Sequence, residues 1–306
     1  MSAFVWVLGE ALMDCVAQPD GSLRPFMGGS PFNMARAAAL RGASVGYLNA
    51  LSTDLFGLQM GAQLANDGVE LLLPASRLPT ALAVVQLNNG QPSYGFYREG
   101  VADRDYTVEQ VLSALAGAKP GVLHTGSLLL VPPEHDKVLA ILKGAKALGW
   151  TISVDVNLRP KLASDLALYV EAVNAVAALA DWLKASDEDL ALLGFTDPSR
   201  TNAPEIARHF TGQGASRVAL TFGEHGAWMT VDGAQATQDV PTVTLVDTVG
   251  AGDTFWGNCL GDWVLQPDGA AARVGQTLAQ AMRAAAINCT RPGCQPPTYA
   301  EVLAQG

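Results

Sequence analysis

The amino-acid sequence predicts an α/β fold built on a doubly wound, mostly parallel sheet with helices on both faces. Three observations carry that prediction. Short apolar, β-branched runs alternate with longer helical patterns along most of the 306 residues, which is the rhythm of βαβ units. The runs are apolar throughout, as strands covered on both faces are. Two stretches, residues 11–27 and 81–99, break the rhythm and read as strands with no helix between them. A small second sheet is therefore expected beside the main one.

The elements follow in order. Residues 4–8 form an apolar run closed by Gly9, and an Ala-rich helix at 33–41 leads to a strand at 45–51. Residues 81–87 and 93–98 flank Asn88-Asn89-Gly90, a good hairpin turn. A strand at 122–124 precedes Pro132 and Pro133, and a helical pattern covers 134–148. Next come a strand at 150–156, a helix at 162–179, a short strand at 182–184, a helix ending at 206–212 and a strand at 217–221. A strand at 242–246 runs into a Gly-rich turn, then a helix through Phe255, Leu260, Trp263 and Val264. Residues 270–306 read as an Ala-rich helix with a Pro-rich tail. No repeat, low-complexity tract or linker divides the chain, so residues 1–306 are expected to form a single domain.

Composition excludes several function classes. Apolar residues make up 49% and charged residues 16%, which is too apolar and too weakly charged for a disordered chain. The net charge is −10, and no run of Lys or Arg reaches three residues. A nucleic-acid binder or a membrane-surface protein would need clustered positive charge. Residues 78–97 lack charge but contain Pro79, Asn88, Asn89, Gly90 and Pro92, so they read as a hairpin and not a membrane span. The N-terminal stretch carries Glu10 and Asp14 and no basic residue before Arg24, unlike a signal peptide. Cys15, Cys259, Cys289 and Cys294 show no metal-site spacing and read as free thiols of a cytoplasmic protein.

The segment Asp247-Thr-Val-Gly-Ala-Gly-Asp-Thr-Phe255 is the most informative. Gly250, Ala251 and Gly252 fall where a helix begins. Unpaired N–H groups and the helix dipole favour an anion there. Asp253, in the first turn, can accept a proton from an alcohol while the amides hold phosphoryl charge. Taken alone, the same residues also suit a tight turn with a helix cap. Gly28-Gly-Ser-Pro-Phe-Asn33 is the second segment. Its glycines let backbone approach a small polyol that Asn33 can bond; the plainer reading is a loop capped by Ser30 with Pro31 opening a helix. Asp14, near a strand end, can bind hydroxyls or can be an ordinary surface carboxylate.

Together these segments resemble the ribokinase-like carbohydrate kinases of the PfkB family. The resemblance runs in order over nearly the whole chain, from Gly9-Glu10 and Asp14, through Gly28-Gly29-x-x-x-Asn33, to residues 247–255. It implies the ribokinase-like α/β fold, with residues 11–27 and 81–99 as a small β-sheet lid. It implies an ATP-dependent sugar kinase with Asp253 as catalytic base and Gly250, Ala251 and Gly252 as the anion hole. Asp14, Gly28, Gly29 and Asn33 would bind the sugar. Thr221, Gly223 and Gly226 match the segment beside the ATP phosphates. Asp247 and Thr248, with residues 288–293, resemble a monovalent-cation site, so K⁺ is an implied cofactor beside ATP and Mg²⁺. Asp155-Val-Asn157-Leu-Arg159-Pro160 resembles fructokinases and 2-keto-3-deoxygluconate kinases, with Arg159 assisting catalysis and Asn157 the sugar. Tyr97 and Arg98 on the hairpin match the same subgroup, while Pro31 looks more like fructokinases.

Two departures stand out. The stretch from Lys184 through Ser186 to Asp189 replaces the family's Asn-x-x-Glu, placing Lys184 and Ser186 near the nucleotide and Asp189 in indirect charge of Mg²⁺. Met282 falls where an Asn commonly lies near the adenine. The resemblance implies phosphorylation of the 6-hydroxyl of fructose, with a 2-keto-3-deoxygluconate kinase as the alternative, in which Arg98, Arg104 and Arg159 matter. A sugar-binding regulator would lack Asp253. A dinucleotide-dependent oxidoreductase would need a GxGxxG after the first strand, and residues 7–14 lack it. The expected partners are a small sugar and ATP, without nucleic acid or membrane, and a second copy paired through the lid.

Overall fold

The computed structural model describes residues 4–88 and 91–305. Its strands are β1 (Val5–Val7), β2 (Leu12–Ala17), β3 (Leu23–Gly28), β4 (Val45–Tyr47), β5 (Val69–Leu71), β6 (Ala81–Asn88), β7 (Gln91–Tyr97), β8 (Val122–Gly126), β9 (Thr151–Asp155), β10 (Trp182–Ser186), β11 (Arg217–Thr221), β12 (Ala227–Val231) and β13 (Ala234–Gln238). Its helices are α1 (Ser30–Leu40), α2 (Leu55–Asn66), α3 (Val108–Ala116), α4 (His135–Ala147), α5 (Leu166–Ala177), α6 (Asp187–Leu192), α7 (Ala203–Gly212), α8 (Ala251–Leu265), α9 (Val274–Asn288) and α10 (Tyr299–Ala304). Nine strands form the main sheet in the order β13-β12-β11-β10-β9-β8-β1-β4-β5, and four form a smaller one in the order β3-β2-β6-β7. The main sheet is parallel from β11 to β5, with β12 and β13 antiparallel at one edge.

Alternate residues of the parallel strands supply two separate cores. Val5, Val7, Val122, Trp182 and Ala219 pack toward α1, α8 and α9. Leu123, Ile152, Val154, Leu183, Val218 and Leu220 pack toward α3, α4, α5 and α7. This double covering is what the continuous apolar runs predict. The chain leaves β1 for β4 and β5 on one side, then returns to β8 on the other. Such a switch point opens a crevice at the strands' carboxyl ends, where ligands bind in open α/β sheets. Gly9, Asp155, Ser186 and Thr221 all lie there.

Helices α1 and α8 cross unusually closely. A Cβ on Gly257 would lie 2.6 Å from the Ala37 Cβ and 2.7 Å from the Met34 carbonyl oxygen. One on Gly261 would press into Arg41. Glycine at these two positions of α8 lets Ala37 and Ala38 of α1 touch its backbone. The contact is tied by a buried ion pair, Arg41 Nη2 to Asp262 Oδ1 at 2.7 Å, with Thr277 of α9 donating to Asp262 Oδ2 at 2.8 Å.

The two helix-free regions are strands, as read from the sequence; β2 pairs with β3 and β6, and β6 with β7. Residues 89–90 of the expected turn lie outside the described residues. The expected strand at 242–246 is not formed. Its β-branched run pairs with no strand of either sheet among the described residues. The Val246 and Asp247 N–H groups both donate to the Cys289 carbonyl instead, and Leu245 and Val246 are 64% and 58% exposed. The β12–β13 hairpin was not anticipated, although Asp232-Gly233, both with positive φ, is a recognisable two-residue turn. The Pro-rich tail closes with α10, whose Thr298 and Glu301 form a capping box. Among the described residues no helix is long and apolar enough to cross a membrane.

The close crossing yields a first prediction. Gly257→Val should destabilise the fold by about 2–3 kcal/mol or more, because its neighbours are backbone and cannot move aside cheaply. Urea unfolding measures it; an unchanged midpoint and slope would show that the helices separate without cost.

Candidate active site

The site grows from the start of α8. Gly250 precedes the helix with φ 74° and ψ 6°, a left-handed conformation, and a Cβ there would collide with the Cys294 Sγ. The Ala251 N–H turns to the Thr248 carbonyl at 3.2 Å. That leaves the first-turn amides of Gly252 and Asp253 for an anion. Asp253 is buried in this turn, and α1 holds both its oxygens. Ser30 Oγ donates to Oδ1 at 2.7 Å and Asn33 Nδ2 to Oδ2 at 2.9 Å. Burial raises the Asp253 pKa; the bonds from Asn33 and Ser30 and the charges of Lys184 and Arg159 oppose that rise.

The small sheet brings in the next groups. Asp14 of β2 lies so close over Gly28 that a Cβ there would strike its carboxylate. Burial pushes Asp14 up to about 6, with Arg159 pulling down and Asp253 and Asp247 pushing up. Gly29, at φ 104°, is the single residue between β3 and α1, and a Cβ on it would meet the Glu10 carbonyl. Glu10 is buried, accepts the Ser30 N–H at 3.2 Å through Oε1, and is pushed up to about 7 chiefly by burial. Asn33 Oδ1 is buried without a hydrogen-bond partner, an acceptor ready for a hydroxyl.

A band of charge lies beneath α8. Lys184 Nζ pairs with both oxygens of Asp155 at 2.9 and 3.0 Å, and both residues are buried. A Cβ on Gly252 would lie 3.2 Å from this ammonium, so the charge sits beside the first turn of α8. Burial works against the lysine's charge, but Asp155, Asp189 and Asp253 outweigh it and hold Lys184 above its ordinary value. Asn157, at φ 38°, accepts from Arg159 Nη1 at 2.6 Å through its side chain. Thr221 and Ser186 are register partners at the ends of β11 and β10. Gly223 and Gly226 follow with positive φ in the turn beyond.

A model of the pfkB family of carbohydrate kinases matches residues 2–300. The chain belongs to that family. Among its relatives, the fructokinase of Rhizobium leguminosarum bv. trifolii is 32% identical over 252 residues, covering 81% of this chain and 76% of that protein. The Vibrio alginolyticus fructokinase is 30% identical, covering 86% and 87%. The structure of a fructokinase with bound ATP from Xylella fastidiosa superposes with a TM-score of 0.84 at 27% identity, covering 98% and 97%.

In this carbohydrate kinase most residues singled out from sequence converge, and some do not. Hydrogen bonds, close approaches and charge coupling bring Asp14, Gly28, Asn33, Asn157, Arg159, Lys184, Gly252 and Asp253 together, with Gly29, Gly250 and Ala251 beside them in the chain. Tyr97 does not join them. Register aligns Asp14 with Ala83 and Ala83 with Phe96, so Phe96 shares the Asp14 face and Tyr97, 64% exposed, is on the other. Arg98 is paired with Asp103 at 3.1 Å and Arg104 with Glu134 at 2.7 Å. Asp189 accepts main-chain N–H groups from Leu158 and Ser186, so it caps a loop and does not face outward. Asp247 takes the N–H groups of Val249 and Gly293, strapping two loops together, with Thr248 exposed beside them. Met282 packs in the core with α8 and α9 neighbours. Ser30, read from sequence as a helix cap, is instead the first residue of α1 after the Gly29 cap and gives its hydroxyl to Asp253; Glu10 has no role in the sequence reading, and the position of both around the Gly-Gly pair is the available signal.

Asp14 generates a second prediction. Its folded pKa lies above the ordinary 3.8, so its contribution to stability is present below about pH 4 and lost as pH rises through 6. Without ligand, unfolding free energy should fall across that window, and Glu10 should extend the decline toward pH 7. Asp14→Asn should flatten the lower part and stabilise the protein near pH 7 by about 2–3 kcal/mol. Urea unfolding at several pH values tests this; a variant with the wild-type slope would mean that Asp14 is not desolvated.

Proposed function

We propose that this chain is a fructokinase that transfers the γ-phosphoryl group of MgATP to the 6-hydroxyl of fructose. The observation that carries this reading is the buried Asp253 carboxylate, set at a helix start beside Lys184 and bonded by Ser30 and Asn33 of α1. The fructokinase relatives and the ATP-bound Xylella fastidiosa structure support the same acceptor and donor.

The residues divide the work as follows. Asp14 and the free Asn33 oxygen accept hydrogen bonds from sugar hydroxyls, and Gly28 and Gly29 let the sugar approach the backbone. Asp253 takes the proton of the 6-hydroxyl as the oxygen attacks the γ-phosphorus and ADP leaves. The amides of Gly252 and Asp253, with Lys184 and Arg159, offset the charge spread over the transferred group. Thr221, Gly223, Gly226 and Ser186, at the ends of β10 and β11, line the nucleotide side. The carbonyls of the loops at 247–248 and 288–293 would hold a K⁺ ion. Mg²⁺ carried by the nucleotide would offset the charge of its phosphates.

The pairing of Arg98 and Arg104 with acidic partners favours fructose over 2-keto-3-deoxygluconate. Each of these guanidiniums already carries an acidic partner, and Asp14, coupled to Arg159, would repel a substrate carboxylate. We read the whole chain as one domain, with the smaller sheet closing over bound sugar to exclude water. Leu23 on β3 and Tyr97 on β7, both exposed at the sheet edges, suit pairing with a second copy. The free thiols suit a cytoplasmic protein.

An ADP-release assay over fructose, ribose, 2-keto-3-deoxygluconate and adenosine should show preference for fructose. Asp253→Asn should lower kcat by about 10² to 10⁴ with the fructose KM nearly kept. A variant retaining half of the wild-type kcat would remove Asp253 from the chemistry. Preference for the keto acid would overturn the substrate assignment.

A further inference from the structure

We propose that Ser30 is a positioning residue for the catalytic base, its hydroxyl holding Asp253 ionised and turned toward the phosphoryl site. The proposal rests on Asp253 being the base. Ser30 is pinned at both ends. Its N–H donates to the buried Glu10 carboxylate at 3.2 Å, and its hydroxyl donates to Asp253 Oδ1 at 2.7 Å, with both carboxyl groups and Ser30 itself buried. Asn33 bonds the other oxygen, but it keeps a buried acceptor without a partner and so has a second duty toward the sugar. Ser30 has no such divided role: its hydroxyl is committed to the base.

The electrostatic setting makes that bond matter. Asp14 from β2, Asp155 from β9 and the Cys294 thiol all stand within electrostatic reach of Asp253, and negative charge on the first two disfavours its ionisation. Lys184 from β10 and Arg159 from the loop after β9 favour it. Lys184 is already engaged by Asp155, and Arg159 by Asn157. A hydroxyl donating directly to the carboxylate stabilises the charged form. With Asn33 on Oδ2, it leaves one lone pair on each carboxylate oxygen for the incoming hydroxyl.

The test is kcat against pH, between about pH 5 and 9, with saturating MgATP and fructose, for the wild type, Ser30→Ala, Ser30→Thr and Asp253→Asn. In Ser30→Ala the acid limb should move up by about one unit, so that on the acid side of both limbs the rate is about tenfold low. The alkaline plateau should stay within about threefold of wild type and the fructose KM should not move. Ser30→Thr, which restores a hydroxyl, should return the limb. Titration of the nucleotide is common to all variants, so the difference belongs to the protein. Ser30→Cys, a weaker donor, should give an intermediate limb and replaces the alanine variant should that one fail to fold. An unmoved limb, or an equal loss at every pH, overturns the proposal while Asp253→Asn remains inactive. An active Asp253→Asn overturns the base assignment and the Ser30 role with it.

Discussion

The close crossing of α1 and α8 is the constraint on which the site depends. Ser30 and Asn33 stand at the start of one helix and Asp253 at the start of the other, 220 residues apart in the chain for the Asn33 contact. Their hydrogen bonds form only if the helix axes come nearer than ordinary side chains permit. Gly257 and Gly261 allow that approach, and the Arg41–Asp262 pair, next to Gly261, fixes it. Small residues at the crossing are therefore as much part of the chemistry as the carboxylate. The helix is amphipathic in neither sense, being buried nearly all round, and its contribution to stability and to function comes from the same surface.

The crevice concentrates charge where water is scarce. Asp155 and Lys184 neutralise each other across adjacent strands, but Asp14, Glu10 and Asp253 remain carboxyl groups whose ionisation burial opposes. Removing such a group would relieve the fold, and retaining it makes sense only if a ligand uses the charge. The site thus carries local destabilisation that the two large cores on either side of the main sheet absorb.

The parallel sheet was legible because its strands are apolar on both faces, and the small sheet because residues 11–27 and 81–99 lack helical periodicity. The Gly250–Asp253 turn was legible from glycine and carboxylate spacing. What failed has a common origin in tertiary partners. The run at 242–246 has strand chemistry but pairs with no strand of either sheet among the described residues, and sequence does not reveal a missing partner. Tyr97 and Phe96 are neighbours in the chain, and only the register with β6 decides which faces the crevice. Arg98 looks like a ligand for an anion until Asp103, five residues on, is seen to hold it. Ser30 was visible as a helix cap, but its partner is 223 residues away.

β3 ends at Gly28 and α1 begins at Ser30, so a single residue connects the small sheet to the helix that grips Asp253. Each residue of a helix advances the side chain by about 100° around its axis. Inserting or deleting one residue at this joint would shift the start of α1 against β3 and displace Ser30 and Asn33 from the carboxylate, without altering any residue that touches it. The strand and the helix are phase-locked, and the length of the chain between them is as tightly specified as the identity of the groups it presents.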